Sequence, residues 1–372
     1  MKIIYLTSTL KKSGPTNQLF YIIKNLSDEF EPVVVTLSPE PESSLLSNYE
    51  AAGIKVMSLG LSRFSGLFLL KNKLTKVLDA ENPDLIHSQG FRADVLSAGL
   101  RRNILKICTI RNFPQLDFKM TYGLLFSKYM CFKQKRILQK FNTVCGVSDA
   151  VTENLVNVFH STNAITIHNG VDMKKYVKGD SDSVLNMRNS LGINNDKIVW
   201  ITSLGKDDRK NSITLFNGIT PFLRENKQHF LIVVGDGKQR KECEEIAERM
   251  SNVIFQGKVN NIENYLSMSD YFISASRAEG MPNAVLEALS SGLPSVLSNI
   301  PPHLEIEKLG GDAICSFETE DSSSLYECIK SIDFLMKEKQ SVAAYKTATD
   351  NFDSLGMSLK YQDLYKKLFK GI

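Results

Sequence analysis

The chain has 372 residues, about right for two domains of roughly 150–200 residues and too long for one ordinary hydrophobic core. With 42% hydrophobic and 23% charged residues, the composition excludes a disordered chain, and the lack of an unbroken run of about 18 apolar residues excludes a typical membrane-spanning helix. The net charge of +4 conceals an asymmetry: 20 Lys and Arg face 13 Asp and Glu over residues 1–168, or +7, whereas 25 face 28 beyond them, or −3. The opening MKIIYLTSTL has one Lys and then a short β-branched run, which suits a buried first strand better than a signal peptide, so a cytoplasmic protein is expected. Six cysteines, at 108, 131, 145, 243, 315 and 328, show no CxxC spacing and read as buried thiols.

In chain order, KIIYLTS, EPVVVTLS, IKVMSLG, DLIHSQ, ILKICTIR and NTVCGVS predict six strands in the first half. KIVWITSLG, HFLIVVGDG, NVIFQG, YFISAS and LPSVLS predict five in the second. Helix-length segments separate them, and this alternation is the pattern of βαβ units around a parallel sheet, here twice: an α/β protein of two doubly wound domains. Between the halves, HNGVDMKKYVKGDSDSVL is rich in turn residues, which places a hinge near residues 170–195. Residues 101–140 hold Arg101, Arg102, Lys106, Arg111, Lys119, Lys128, Lys133, Lys135, Arg136 and Lys140 against Asp117 alone. Phe126, Tyr129 and Phe132 interleave with these charges. An anionic membrane surface is the expected partner, and no nucleic acid; a solvated helix face is the plainer alternative. At the end of the chain, Leu359, Tyr361, Leu364, Tyr365 and Leu368 recur at helical spacing and predict a terminal amphipathic helix.

The most informative passage runs from Ser276 to Pro294. It follows the strand YFISAS, with Pro282 suited to a first helical position, Gly292 to the residue past a helix end and Pro294 to a stop, framing about two and a half turns. Glu279 then lies in the loop before the helix. The backbone N–H groups of Gly280, Met281 and Asn283 point out of its start, where the helix dipole favours an anion such as a diphosphate. Glu287 shares a face with Asn283, and its carboxylate suits a vicinal diol such as a ribose.

This passage resembles the GT-B glycosyltransferases of family 4, whose mark is EGxPxxxxEAxxxGxP, with Glu279 and Glu287 at the two glutamate positions. The resemblance implies that Glu279 lies beside the transferred sugar and that Glu287 holds the nucleotide ribose. Residues 203–211 resemble the family loop bearing an Arg and a Lys on the donor diphosphate; Lys210 fits the Lys, and Lys206 or Arg209 supplies the second cation. Gly235-Asp236-Gly237 resembles the family's second strand ending and reads as a structural turn. Lys258 and Val259 match its base-binding turn. His168-Asn169-Gly170-Val171-Asp172 resembles its interdomain joint, where Gly170 permits a positive φ and Asp172 caps the turn. Gly14, in Ser13-Gly14-Pro15, fits either a glycine loop close to the phosphates or a simple connector. His87 is either an acceptor-side group or a satisfied strand-end histidine. Arg111 stands where the family commonly has a His; it cannot act as a base and would bind a sugar hydroxyl or an acceptor phosphate.

The resemblance further implies two Rossmann-like domains facing a cleft. Residues 1–170 would bind the acceptor, with a C-terminal helix over 355–372 packing back on them, and 171–354 would bind the donor. The implied activity is retaining transfer from a nucleotide-sugar, expected to be a UDP-sugar, to a polyprenyl-linked or saccharide acceptor in surface-polysaccharide biosynthesis (O-antigen, capsule or exopolysaccharide). The expected location is the inner face of the plasma membrane, as a peripheral protein. No metal or other cofactor is expected; Asp180-Ser181-Asp182 looks like a metal-binding DxD but lies in the linker and reads as a solvated turn. A nucleotide-sugar epimerase of the same fold and a non-catalytic nucleotide-sugar-binding protein are the alternatives. A Rossmann dehydrogenase is disfavoured, because neither Gly14 nor Gly235 opens a GxGxxG.

Overall fold

The computed structural model describes residues 1–100 and 103–371, except for the side chains of residues 63–65, 67 and 68. Arg101 and Arg102 of the basic stretch, and Ile372, therefore lie outside the described residues. The contacts divide the chain into one unit formed by Met1–Gly170 with Ser354–Ile372 and another formed by Val171–Asp353.

Runs such as KIIYLT and LKICTI lack the alternation of a half-solvated strand, and their side chains are buried on both faces, as a helix-covered parallel sheet requires. In the first unit the strands are β1 (Lys2–Thr7), β2 (Glu31–Thr36), β3 (Lys55–Ser58), β4 (Leu85–Gln89), β5 (Leu105–Ile110), β6 (Thr143–Gly146) and β7 (Ala164–Thr166). They form one parallel sheet in the order β3-β2-β1-β4-β5-β6-β7, with Ile4 of β1 in register with Val33 of β2 and Ile86 of β4. Ile4, Leu6, Val33, Leu74, Leu78 and Ile86 form the core on one face. Ile3, Tyr5, Ile22, Val34, Tyr49 and Ile107 form the other, completed by Met357, Tyr361 and Tyr365 of the final helix, Ser354–Lys370. Those three residues, spaced by four, are the stripe that sets its docking. Leu359, counted in the apolar face from sequence, is instead 50% exposed.

The second unit contains β8 (Ile198–Ser203), β9 (His229–Val234), β10 (Val253–Gly257), β11 (Tyr271–Ser274), β12 (Ser295–Ser298) and β13 (Ile314–Phe317), parallel in the order β10-β9-β8-β11-β12-β13. Trp200 stacks on Tyr271 at 4.8 Å in a core that includes Phe216, Ile219, Leu231, Ile273, Leu325 and Ile329. In each unit the strand order reverses beside the first strand, between β1 and β4 and between β8 and β11. The crevice beyond the carboxyl ends at such a switch point is where open α/β sheets hold ligands.

Three expectations are corrected. Asp180-Ser181-Asp182 is not a solvated turn: within residues 170–195, whose start coincides with the division of the two units at Gly170–Val171, it opens the helix Ser181–Ser190, with Asp180 as N-cap accepting from the Ser183 N–H at 2.9 Å. The cysteines are not six buried thiols. Cys315 on β13 and Cys328 on the helix Ser322–Lys330 are brought to a Cα separation of 6.7 Å and joined as a disulfide, and Cys131 is half-buried. Gly170 does not take a positive φ; its N–H and C=O are held instead by the Gln18 amide, at 2.9 and 2.7 Å.

Candidate active site

Beyond the end of β8 the chain makes a turn of 3-10 helix, Asp208–Lys210, whose entry is capped by Asp207. Asn211 then takes the left-handed conformation at φ 51° and starts the helix Ser212–Glu225. This tight reversal sends Arg209 and Lys210 different ways. The Arg209 guanidinium pairs with Asp207 at 3.1 Å, whereas Lys210 Nζ reaches Glu279 Oε1 at 2.7 Å. The two loops are stitched by the backbone, with the Arg277 N–H donating to the Arg209 carbonyl at 2.8 Å. A cation from the end of β8 and a carboxylate from the end of β11 thus share one place. Lys206 is exposed on the same loop.

Glu279 accepts a further hydrogen bond from the Ser276 hydroxyl at 3.0 Å. Burial pushes its carboxyl upward, but Lys210, with Ser276 and nearby His303, outweighs this and holds it below the ordinary glutamate range. The helix beyond the loop runs Asn283–Ser290, about two turns, and Pro282 is its N-cap rather than its first residue. Gly292, at φ 74°, sits one residue beyond the C-cap Ser291, where the left-handed conformation ends the helix. Gly280, Met281 and Pro282 are buried against the protein and Asn283 is half-buried at the helix start. Glu287, one turn on, is hydrogen-bonded by the Tyr176 side chain, yet burial still raises its carboxyl to about 7.

Gly235 and Gly237 belong to packing: a Cβ on Gly237 would lie 1.7 Å from the Gly205 carbonyl oxygen, so only glycine lets the turns after β8 and β9 meet. Lys258 is exposed, 3.8 Å from Asp236, and Val259 is half-buried just after β10. Sequence reasoning missed His303. It is 1% exposed on the helix Pro301–Gly310, with Nδ1 at 2.8 Å from the Ser298 carbonyl and Nε2 buried without a partner. Burial lowers it to about 4, so the ring is neutral and Nε2 presents a lone pair. The sequence signal was a lone His after the Pro301-Pro302 pair, which looks like an ordinary helix start.

In the first unit, Gly14 begins the helix Gly14–Lys24, with Pro15 in its first turn. His87 is no candidate for ligand binding: Nδ1 meets the Tyr365 hydroxyl and Nε2 the Thr109 hydroxyl, each at 2.7 Å, and burial with the Arg111 charge lowers it to about 3. Arg111 does line a cavity of about 280 Å³ beyond β1, β4 and β5. Its Nε donates to Gln89 at 3.0 Å and Nη1 to Asn169 at 2.9 Å, and Nη2 has no partner.

Doubly wound parallel sheets of this kind, one in each unit, are the GT-B architecture, and the chain is a glycosyltransferase of that class. It belongs to family 4: a family model described as Glycosyltransferase Family 4 matches residues 13–175, and one described as Glycosyl transferases group 1 matches residues 195–332. The chain is 26% identical to the O-antigen biosynthesis glycosyltransferase WclY of Escherichia coli, over the full length of both. It is also 26% identical to the capsular polysaccharide biosynthesis glycosyltransferase CapH of Staphylococcus aureus, over 86% of this chain and 87% of that protein. In fold it is similar to Anabaena HepE solved with UDP, with a TM-score of 0.83 and 19% identity over 99% of this chain and 100% of that one.

Proposed function

We propose that the protein is a retaining glycosyltransferase that moves a sugar from a UDP-sugar to a polyprenyl-linked or saccharide acceptor in surface-polysaccharide biosynthesis. The observation that carries this reading is the Lys210–Glu279 pair at 2.7 Å beside the start of the helix Asn283–Ser290, with Glu287 one turn further on. A diphosphate placed there meets the Lys210 ammonium and the positive end of a helix dipole, with Lys206 and Arg209 nearby on the same loop. These cations compensate the charge that grows on the leaving nucleoside diphosphate without requiring a metal ion. In this reading the Glu287 carboxylate would receive the ribose diol, the Lys258–Val259 turn the base, and Glu279 the transferred sugar, with Gly14 of the first unit a further candidate for the phosphates. Because Glu279 is engaged by Lys210 and Ser276, a same-face attack, in which a leaving phosphate oxygen takes the acceptor proton, suits it better than nucleophilic attack by Glu279. Residues 1–170 with the final helix would bind the acceptor and residues 171–353 the donor. The names of WclY and CapH support the polysaccharide assignment, and HepE, solved also with UDP-glucose, supports a UDP-sugar donor.

The same reading places the protein peripherally at the cytoplasmic face of a membrane. No helix among the described residues is long and apolar enough to cross one. The helices Pro114–Tyr122 and Leu124–Leu138, however, expose Met120, Tyr122, Leu124, Phe126, Tyr129 and Phe132 around their turn, and Leu125 is 84% exposed. Lys119, Lys128, Arg136 and Lys140 are exposed among them. Apolar side chains rimmed by cations suit an anionic interface carrying a lipid-linked acceptor.

The test is a panel of nucleotide-sugars screened for thermal stabilisation, followed by transfer assays with the stabilising donor and lipid-linked or free saccharides. A ligand at about 100 times its Kd adds about 2.7 kcal/mol. Stabilisation by one UDP-sugar and anomer-retaining transfer are expected; product formed from the donor alone, or donor binding with no transfer to any acceptor, overturns the reading.

A further inference from the structure

Glu279 is held by one of its two oxygens. Lys210 Nζ at 2.7 Å and the Ser276 hydroxyl at 3.0 Å both meet Oε1, and among the described residues no hydrogen bond falls on Oε2. A carboxylate offers about two acceptor sites on each oxygen, so those of Oε1 are filled and those of Oε2 are not. The side chain as a whole is 20% exposed.

Ser276 is itself fixed from behind. It lies two residues past the end of β11, where the ladder with β12 has stopped at the pair Ser274–Leu297. The hydroxyl of Ser298, the last residue of β12, ties the chain beyond that point by donating to the Ser276 carbonyl at 2.6 Å. His303 Nδ1 in turn lies 2.8 Å from the Ser298 carbonyl and 3.2 Å from the Ser298 hydroxyl oxygen. A carbonyl only accepts, so Nδ1 carries the proton of the neutral ring. The same logic orders the hydroxyls. Ionised Glu279 only accepts, so Ser276 gives its single proton to Oε1, and Ser274, whose Oγ lies 3.2 Å from that of Ser276, donates to it. The bonds from Ser274 through Ser276 to Glu279 therefore run in one direction, and hydrogen bonds aligned in this way polarise one another. Ser276 and Ser298 are 0% exposed and His303 is 1% exposed, so none of the three meets a ligand directly.

We infer that Ser276, Ser298 and His303 are positioning residues: with Lys210 they fix the Glu279 carboxylate by Oε1, so that Oε2 is the oxygen presented to the transferred sugar. The inference rests on the glycosyltransferase reading above and deepens it by dividing the carboxylate into an anchoring oxygen and a working one. Oε2 of the ionised group only accepts, so the matching group on the sugar is a hydroxyl.

The test uses the full-length protein in steady-state kinetics with the UDP-sugar that stabilises it and its acceptor, and UDP itself as the calorimetric probe. Ser276→Ala, which removes one oxygen, is expected to lower kcat about tenfold or more, as for a hydrogen bond to a charged group, with the Kd for UDP unchanged. His303→Leu should lower kcat by a smaller factor, and His303→Asn, which keeps an N–H near the place of Nδ1, should recover most of the loss. In a Glu279→Gln background neither Ser276→Ala nor His303→Leu should reduce kcat further by more than about twofold, because both act through the carboxylate. An unchanged Kd for UDP shows that the second unit folds; were His303→Leu to misfold, Ser276→Ala carries the test. The inference is overturned if Ser276→Ala keeps the wild-type kcat, if it lowers kcat by the same factor with and without the Glu279 charge, or if it weakens UDP while leaving kcat intact. Slow turnover by Glu279→Gln beside normal turnover by Ser276→Ala removes the positioning alone, whereas normal turnover by Glu279→Gln, or a wild type that transfers no sugar, overturns the parent reading and this inference with it.

Discussion

The two switch-point regions handle charge in opposite ways. At the ends of β8 and β11 several charges already have a partner, as in Lys210–Glu279, Arg209–Asp207 and Arg277–Glu320. Just beyond β4 and β5, Asp94 and Arg111 are each anchored by some of their polar atoms and left unmatched at one other. An anion arriving at Lys210 must therefore compete with Glu279 for it, while the unpartnered atoms of the first unit carry a desolvation cost within the fold itself. The lesson is that charge in one region is neutralised by neighbouring side chains, whereas in the other it is burial that dominates the polar groups.

The largest expected effect comes from breaking the ion pair on its acidic side. Glu279→Gln should lower kcat by about 10²–10³-fold, on the order of 3–4 kcal/mol, if the charge supports the transition state at the sugar. Because the change releases Lys210, UDP should bind no more weakly than to the wild type. Steady-state kinetics with calorimetry checks both, and normal turnover would remove Glu279 from the chemistry.

Next in size is a pH effect in the first unit. Asp94 is raised from 3.8 to about 7 in the folded protein, so the native state binds more protons than the unfolded chain over about pH 4–7, and this group's contribution to stability falls as pH rises through that window. Asp94→Asn removes the cost of ionising it. The variant should gain relative to the wild type by a few kcal/mol at most at pH 8 and by little at pH 4, read as the difference in melting temperature. An equal difference at both pH values would mean that Asp94 is not held protonated.

Glu287→Ala should act on binding alone, weakening UDP by about 1.5–3 kcal/mol, as for hydrogen bonds to a charged group, with little change in kcat at saturating donor. A drop in kcat with UDP affinity intact would reverse the roles of the two glutamates. The smallest effect per residue belongs to the exposed turn between Tyr122 and Leu124. Each cation near an anionic surface contributes about 1 kcal/mol, so Lys128→Glu should reduce flotation with anionic liposomes at low salt, and Phe126→Ser should reduce it at any salt. A wild-type protein that does not float would leave the patch without its proposed role.

The sequence made the fold legible where apolar runs were long. Six of the seven strands in the first unit and five of the six in the second were read from β-branched runs. The two missed, Ala164–Thr166 and Ile314–Phe317, are a three-residue edge and a strand with half-buried Cys315 and Ser316, too short or too mixed to give a period. Glu279, Lys210 and Glu287 were legible because loop and helix punctuation fixes their spacing along the chain. His303, Asp94 and Gln134 were not, since what distinguishes each is a buried atom without a partner, and that depends on packing between elements far apart in sequence. His87 failed for the converse reason. It looked available at a strand end, but its second partner, Tyr365, is 278 residues away.

That distant partner bears on how the protein is made. Tyr361 and Tyr365 sit inside the core of the first unit, and Tyr5 meets Tyr365 through their hydroxyls across 360 residues of chain. During synthesis, residues 1–170 leave the ribosome without the helix that closes one face of their sheet, and the whole of the second unit must be translated before it arrives. At about 5–20 residues per second that interval lasts on the order of ten seconds or more, with Tyr5, Ile22 and Ile107 incompletely covered. The second unit carries no such debt to the chain's end and is free to complete its own core first. Nascent chains of this protein should therefore be most exposed to chaperones, and to aggregation, late in translation, and a truncation at residue 353 should cost the first unit its stability while sparing the second.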